Sequence, residues 1–413
     1  MRKSMKKVLA TTCVAGLCVS ALAGCTSTPK TSSMTEVMNV ASELDSYSYS
    51  YEVDITTESE GSMSMELYGN CTKDAVSMSV KIKSIDIEDM DLDYDAKNIL
   101  VATKDALYIN LAEVEDEFLA EMDLGTYGLD ADWIKLDYGM EMEVSSSTEA
   151  IDTLLEDFEE AYGDLIDEDD GEYSIVIDDN DSAKEVLEAT ATMLEENAEE
   201  WAELFVSMYD EFDYETFTAN FVTSLCKEIN KTYDLGMTSS EIEREVEAMM
   251  EEIDFSQITT ELDSEYYAES FNALAAEIRE SIEEVDIADS EIEISASQDG
   301  SEYVTEVKVD YVDYYSEELI EISVKSTIVA EKVEVKVPSE DIMTVEEAIC
   351  VLLEEFGGDI EAEDAEELLD NLESALDDVD LSGMSGMMGY PSVDMDAVDD
   401  WDDYEDYDWD EEW

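Results

Sequence analysis

The strongest constraint on the fold is a change of hydrophobic period along the chain. Tyr47, Tyr49, Tyr51, Val53 and Ile55 alternate with polar residues, the period-two pattern of a strand with one face buried and one face wet. The alternation continues through Met63, Met65 and Leu67 and through Val76, Met78, Val80 and Ile82, then through apolar runs at 99–101, 107–109 and 133–136. Residues 34–145 therefore read as a short helical opening, ending at Leu44, followed by an antiparallel meander of about six strands. From Leu187 the period lengthens: Leu187, Ala191, Leu194, Ala198, Trp201, Phe205 and Met208 recur at spacings of four and three, which is one face of a long helix.

That helix follows Ser182-Ala183-Lys184-Glu185, read as a capping box. Three further stripes follow, through Phe217 to Ile229, Ile242 to Ile253 behind the box Thr238-Ser239-Ser240-Glu241, and Tyr267 to Ile282. Residues 146–285 thus form a mainly helical region, and 182–285 a helical insertion that must pack on itself or on the sheet. Strands return over 286–338. Residues 291–294 and 303–309 flank a turn at Gln298-Asp299-Gly300, and runs at 319–324 and 333–337 precede Pro338, which cannot extend a ladder. Residues 339–380 read as helices, the last with Ala365, Leu368, Leu372, Ala375 and Val379 in one stripe. The expected class is α+β: an antiparallel sheet with a large helical insertion and a helical cover, as two subdomains or one domain with an insertion. Residues 149–158 echo 347–356; this fits either two related halves or two amphipathic helices of similar bias.

The N-terminus is of another kind. Arg2, Lys3, Lys6 and Lys7 precede an apolar stretch from Val8 to Ala21, the order of a signal peptide, and too short to span a bilayer. It closes on Leu22, Ala23, Gly24 and Cys25, which resembles the bacterial lipobox. The resemblance implies that residues 1–24 are removed, that Cys25 carries the lipid, and that 25–33 are a polar tether. The mature protein would then be lipid-anchored to the extracytoplasmic face of the cell membrane. Ala21-Leu22-Ala23 also fits an ordinary secretory cleavage site, which would leave Cys25 a free thiol.

Charge narrows the partners. The chain has 113 Asp and Glu against 20 Lys and Arg, a net charge of −93. Such a field repels nucleic acid and anionic head groups alike. It suits a basic protein partner, divalent ions or a salty habitat. Because 45% of the chain is hydrophobic, the acid belongs to the surface of a folded protein. No histidine is present, which excludes nucleophile systems built on it and the usual zinc sites. With this much acid, carboxylate pairs arise everywhere by chance, so no catalytic residue, metal site or cofactor is assigned and the chain reads as a non-enzyme. Two acidic runs, 167–171 and 178–181, resemble calcium ligands in composition. Aligning Gly171 with the EF-hand glycine puts Ile166 at the first ligand position, so they read more plainly as a turn and a helix cap. Cys71, Cys226 and Cys350 are far apart in sequence and read as small buried hydrophobes.

No Lys or Arg follows Lys336. Residues 381–413 read as an acidic disordered tail in which Trp401, Tyr404, Tyr407, Trp409 and Trp413 alternate with acids. Such a tail is either a solubilising segment or one that docks a basic partner.

The order of elements resembles the LolA and LppX/LprG-like envelope lipid carriers. The likeness is carried by the opening helix with strand 47–55, the strand pair 106–109 and 132–137, and the closing strand 333–338. It implies a strongly curved half-barrel whose concave face, under a helical cover, holds acyl chains or another hydrophobic small ligand. The long helical region and the acidic tail depart from that family. On this reading Tyr47, Tyr49, Tyr51, Val53, Met63, Met65 and Met78 are the cavity candidates, with packed core as the competing use of the same residues. The resulting expectation is a lipid-anchored envelope protein that binds a hydrophobic ligand, the alternative being a surface protein that docks a basic partner through its acidic faces and tail.

Overall fold

The computed structural model describes residues 31–357 except 58–60, 86–93, 115–128, 130, 140–146, 211–212, 253–263, 286, 288–289 and 313–318. The signal segment with Leu22, Ala23, Gly24 and Cys25, most of the tether, the stripe at 365–379 and the tail with Trp401, Tyr404, Tyr407, Trp409 and Trp413 lie outside the described residues.

The chain opens with α1 (Met34–Met38) and a 3-10 turn at Val40–Glu43, two pieces where the sequence suggested one helix. Ser33 caps α1 by accepting from the Glu36 N–H. Six strands follow: β1 (Ser46–Thr57), β2 (Gly61–Thr72), β3 (Ala75–Ile85), β4 (Tyr94–Thr103), β5 (Ala106–Asn110) and, after the short helix α2 (Leu111–Val114), β6 (Trp133–Asp137). Then come α3 (Ser147–Tyr162) and the hairpin β7 (Asp167–Asp169) and β8 (Glu172–Ile177). The acidic run 167–171 is β7 and the turn after it: Asp170 at φ 55° and Gly171 at φ 89° give the paired left-handed geometry of a two-residue loop.

Four helices fill the insertion: α4 (Asn180–Asp210), α5 (Tyr214–Tyr233), α6 (Ser239–Glu252) and α7 (Ser264–Ser281). The cap of α4 sits three residues before the expected one. Asp179 accepts from the N–H groups of Asp181 and Ser182, and the Ser182 hydroxyl accepts in return from the Asp179 N–H. The box at Thr238 forms as read, with Glu241 accepting from the Thr238 N–H at 2.8 Å and Thr238 from the Glu241 N–H at 3.3 Å. The chain then returns through β9 (Glu291–Asp299), β10 (Glu302–Val312), β11 (Leu319–Val329), the short β12 (Ile342–Thr344) and α8 (Val345–Gly357).

The twelve strands among the described residues form one curved, open sheet in the order β12-β6-β5-β4-β3-β2-β1-β11-β10-β9-β8-β7. The α+β class therefore holds, and the sheet does not close into a barrel. It is mixed rather than wholly antiparallel, because β12 runs parallel to β6. Two meanders meet where β1 pairs with β11. The helical insertion joins β8 to β9, which are sheet neighbours, so it leaves and re-enters the sheet at one place.

The expected strand at 333–337 is absent from the ladder: residues 330–339 run with no regular structure. They form a strap across the sheet's outer face. The strap starts beside β1, where Ser46 donates to the Glu331 carbonyl and Ser48 to its carboxylate. Farther on, Val335 and Ile342 pack with Val101, Ala106, Tyr108 and Trp133. Alternation here packs Val335 against the sheet face and leaves Val337 exposed instead of building a strand, because ladder pairing needs a free edge and β11 already lies between β1 and β10.

The main core lies on the opposite, inner face at the β8–β10 end. Met34, Val37, Val40, Tyr47, Leu155, Tyr162, Ile175 and Tyr303 are buried there together. Separate clusters join α4 to α7 and α5 to α6 and α8. Cys71, Cys226 and Cys350 are buried free thiols. The echoed segments both become helices, but α3 packs on α1 and α4 while α8 packs on α5, β6 and β12.

Candidate functional site

Register decides which side chains share a face. Tyr47, Tyr49, Tyr51, Val53 and Ile55 of β1 stand opposite Cys71, Gly69, Leu67, Met65 and Met63 of β2, and opposite Ile328, Ser326, Val324 and Ile322 of β11 for the last four. On β3, Met78 faces Gly69 and Val80 faces Leu67. All seven cavity candidates therefore lie on the inner, helix-facing side, as period two requires.

Their surroundings differ. Tyr47 is 3% exposed and belongs to the main core, so it is core and not cavity lining. Burial, reinforced by the neighbouring Cys71 thiol, pushes its phenol far above the usual range. Tyr49 packs against the same core, and its hydroxyl donates to the Ser77 carbonyl at 2.9 Å. The ring has room because its cross-strand partner is Gly69: a Cβ there would sit 1.8 Å from the Ser77 oxygen.

Tyr51, Val53, Met63, Met65 and Met78 have another environment. Each is only half-buried, as are Ile55, Leu67, Val80, Ile82, Ile322 and Val324 around them. None of these joins the buried clusters formed by the described residues. The result is a continuous apolar strip on the central strands, partly open to solvent. The neighbours from β11 were available in the sequence as an apolar run at 319–324, but only the β1–β11 pairing brings them to this strip.

The helices explain why the strip stays open. α1 packs on β9 and β10, α4 on β8, and α8 on β6 and β12. The α4–α5 path carries the chain from one end of the sheet to the other. Ala183 and Val186 of α4 sit in the core beside Ile175 and Ile177 of β8, whereas Asn220 of α5 donates to the Gly139 carbonyl just beyond β6. α4 has 31 residues, roughly 46 Å at 1.5 Å per residue. The nine strand spacings from β8 to β6 cover roughly 43 Å at about 4.8 Å each. The helix thus has the length of a strut between the two ends. It is braced along its side by α7, where Arg279 reaches Glu188 at 3.2 Å, the Thr192 hydroxyl at 3.2 Å, and Glu195, and Trp201 meets Phe271 edge-on at 6.0 Å.

A strip of this kind can hold an apolar molecule by area burial and by the adaptable packing of methionine. Among the described residues no helix is long and apolar enough to cross a membrane. No protein-family model matches the chain, and neither a curated protein nor a solved structure matches it.

Proposed function

We propose that this chain is a lipid-anchored envelope protein, without enzymatic role, that binds a lipid or other hydrophobic molecule on the inner face of its sheet. The observation that supports it best is the partly exposed apolar strip from Tyr51 to Met78, flanked by helices that pack at the two ends of the sheet. A folded protein ordinarily covers such area with its own side chains, and contiguous apolar surface left accessible marks a binding face. The anchor is supported by the lipobox-like Leu22, Ala23, Gly24 and Cys25. With a net charge of −93, the surface offers anionic membranes nothing, so acyl chains on Cys25 would hold the protein there.

The test is native mass spectrometry with solvent extraction, on protein lacking residues 1–25 and purified without detergent. A discrete apolar mass at one per chain is the expected result. A clean apo mass that persists after incubation with membrane lipid vesicles overturns the reading.

A second reading, a surface protein docking a basic partner, draws on the same acid excess and on the aromatic tail. Deleting residues 391–413 separates the two: it abolishes capture of a basic partner under the second reading and leaves apolar ligand binding intact under the first.

A further inference from the structure

The outer face of the sheet, on the other side from the apolar strip, carries a groove of about 430 Å³. Two cross-strand rows build it. Ser48, Asn70 and Ser77 stand side by side on β1, β2 and β3, and Ser50, Tyr68 and Ser79 form the row beside them. Ser77 and Ser79 are buried at 3% and 4% exposure and make the floor.

A β-bulge completes the wall. The β3–β4 register shifts between Met78 and Val80, and at that point Asn98 takes a left-handed backbone with φ 50°. Its N–H donates to the Ser79 hydroxyl at 2.8 Å, which holds the bulge in place and sets Lys97 and Asn98 at the rim. Bulges of this type redirect side chains and gather at binding sites.

Most polar groups here are held by the fold, Ser48 donating to the Glu331 carboxylate, Ser50 to Glu66, and the Ser77 and Ser79 hydroxyls accepting from backbone N–H groups, but two amides are not. Among the described residues the side-chain amides of Asn70 and Asn98 have no hydrogen-bond partner, while their backbone N–H groups donate to the Ser77 and Ser79 hydroxyls. Tyr68 is pinned, because its hydroxyl donates to Asp95 at 2.9 Å. Burial and that carboxylate push the phenol up to about 12, so it keeps its proton and the ring keeps one orientation. At the rim Lys97 lies 4.0 Å from Asp95, the carboxylate that Tyr68 meets, and Glu66 accepts from the Ser50 hydroxyl, so the charged side chains of the groove already have partners.

We propose that this groove is a binding site for a neutral polyhydroxylated ligand, a segment of glycan. The chemistry fits that class and no other so well. Each free amide offers a donor and an acceptor side by side, the pairing that vicinal hydroxyls require. The fixed tyrosine ring offers a flat apolar face to the C–H side of a sugar, and the floor of serine hydroxyls offers an acyl chain nothing. An anion would enter against the field of the whole protein, and a cation has far denser carboxylates elsewhere. The site is independent of the reading given to the inner face.

The test is calorimetric titration of the full chain, held in a zwitterionic detergent free of sugar head groups. The probes are chitotriose, cellotriose and maltotriose, each raised to roughly 10 mM so that millimolar affinities register. Binding of at least one is expected, weakened about ten-fold or more by Asn70→Ala and by Asn98→Gly, each of which removes one hydrogen-bonding amide. Neither change should disturb folding: both amides are unused within the described fold, and glycine accepts the left-handed backbone at 98. Equal melting temperatures of the variants and the parent check this. Absence of binding for all three sugars, or binding that survives both substitutions, overturns the proposal.

Discussion

Met65→Glu separates a packed core from a ligand face more sharply than any other single change on the inner side of the sheet. Met65 stands between Val53 of β1 and Ile82 of β3 and is half-buried. Full burial of a methionine contributes about 1.5–3 kcal/mol, so a partly buried one forfeits about 1–2.5 kcal/mol when replaced by a polar group. The new carboxylate can turn toward water, and the cost of a desolvated charge does not arise. The control is Leu155→Glu in the main core, 5% exposed and surrounded by apolar side chains, where an unpaired buried charge costs more than about 4 kcal/mol. Urea unfolding followed by tryptophan fluorescence compares the midpoints. Displacement of a fluorescent long-chain fatty acid compares ligand binding. Met65→Glu should unfold close to the parent while losing binding about ten-fold or more, since a charge at the centre of an apolar site repels an acyl chain by more than 1.4 kcal/mol. If Met65→Glu destabilises as much as Leu155→Glu, the strip is ordinary core and the argument built on its exposure fails.

Gly69→Ala should cost about 2–3 kcal/mol, because its methyl would meet the Ser77 carbonyl at 1.8 Å and the Tyr49 hydroxyl at 2.9 Å; thermal unfolding checks it, and a neutral result would mean that β2 and β3 can part without loss. Raising sodium chloride from roughly 0.05 to 0.5 M should raise the melting temperature, since screening weakens the self-repulsion of a chain with net charge −93; an unchanged value would show that repulsion does not limit stability. Stability should also depend on acid pH through three helix caps. The Ser182 backbone and hydroxyl hold Asp179 below the usual carboxylate range, the Thr216 hydroxyl and N–H do so for Asp213, and the Thr238 N–H and hydroxyl for Glu241. Because these values are depressed on folding, their contribution is complete above the ordinary range near about 4 and is lost as pH falls through the lower folded values. Hydrogen-exchange protection at the starts of α4, α5 and α6, taken relative to the unstructured rate at each pH, should therefore fall below about pH 4 and hold between about pH 5 and 7.

Period and caps were legible because they are local. Alternation at 47–55 fixed which side chains of β1 share a face, the spacing from Leu187 fixed a long helix, and Thr238 with Glu241 fixed where another begins, all through contacts within a few residues. The same locality limits what alternation can say. Val333, Val335 and Val337 alternate as well as any strand, yet the chain there is a strap, because pairing depends on which edge is vacant when the segment arrives. Asn98 and the outer groove were out of reach for the same reason: the bulge exists only where β3 and β4 fall out of step.

Tyr47 and Met65 show the division most plainly. The sequence indicated that both point to the same side of one sheet, since each lies on the apolar face of its own strand's alternation, and the β1–β2 register puts those faces together. Only the tertiary structure decided that α1 and the 3-10 turn after it bury Tyr47 while Met65 remains half open. That outcome depends on where helices encoded far along the chain come to rest, and on the pairing of β8 with β9 across the whole insertion. Local periodicity specifies a face; which element covers that face is set by non-local packing, which no pattern of a few residues contains.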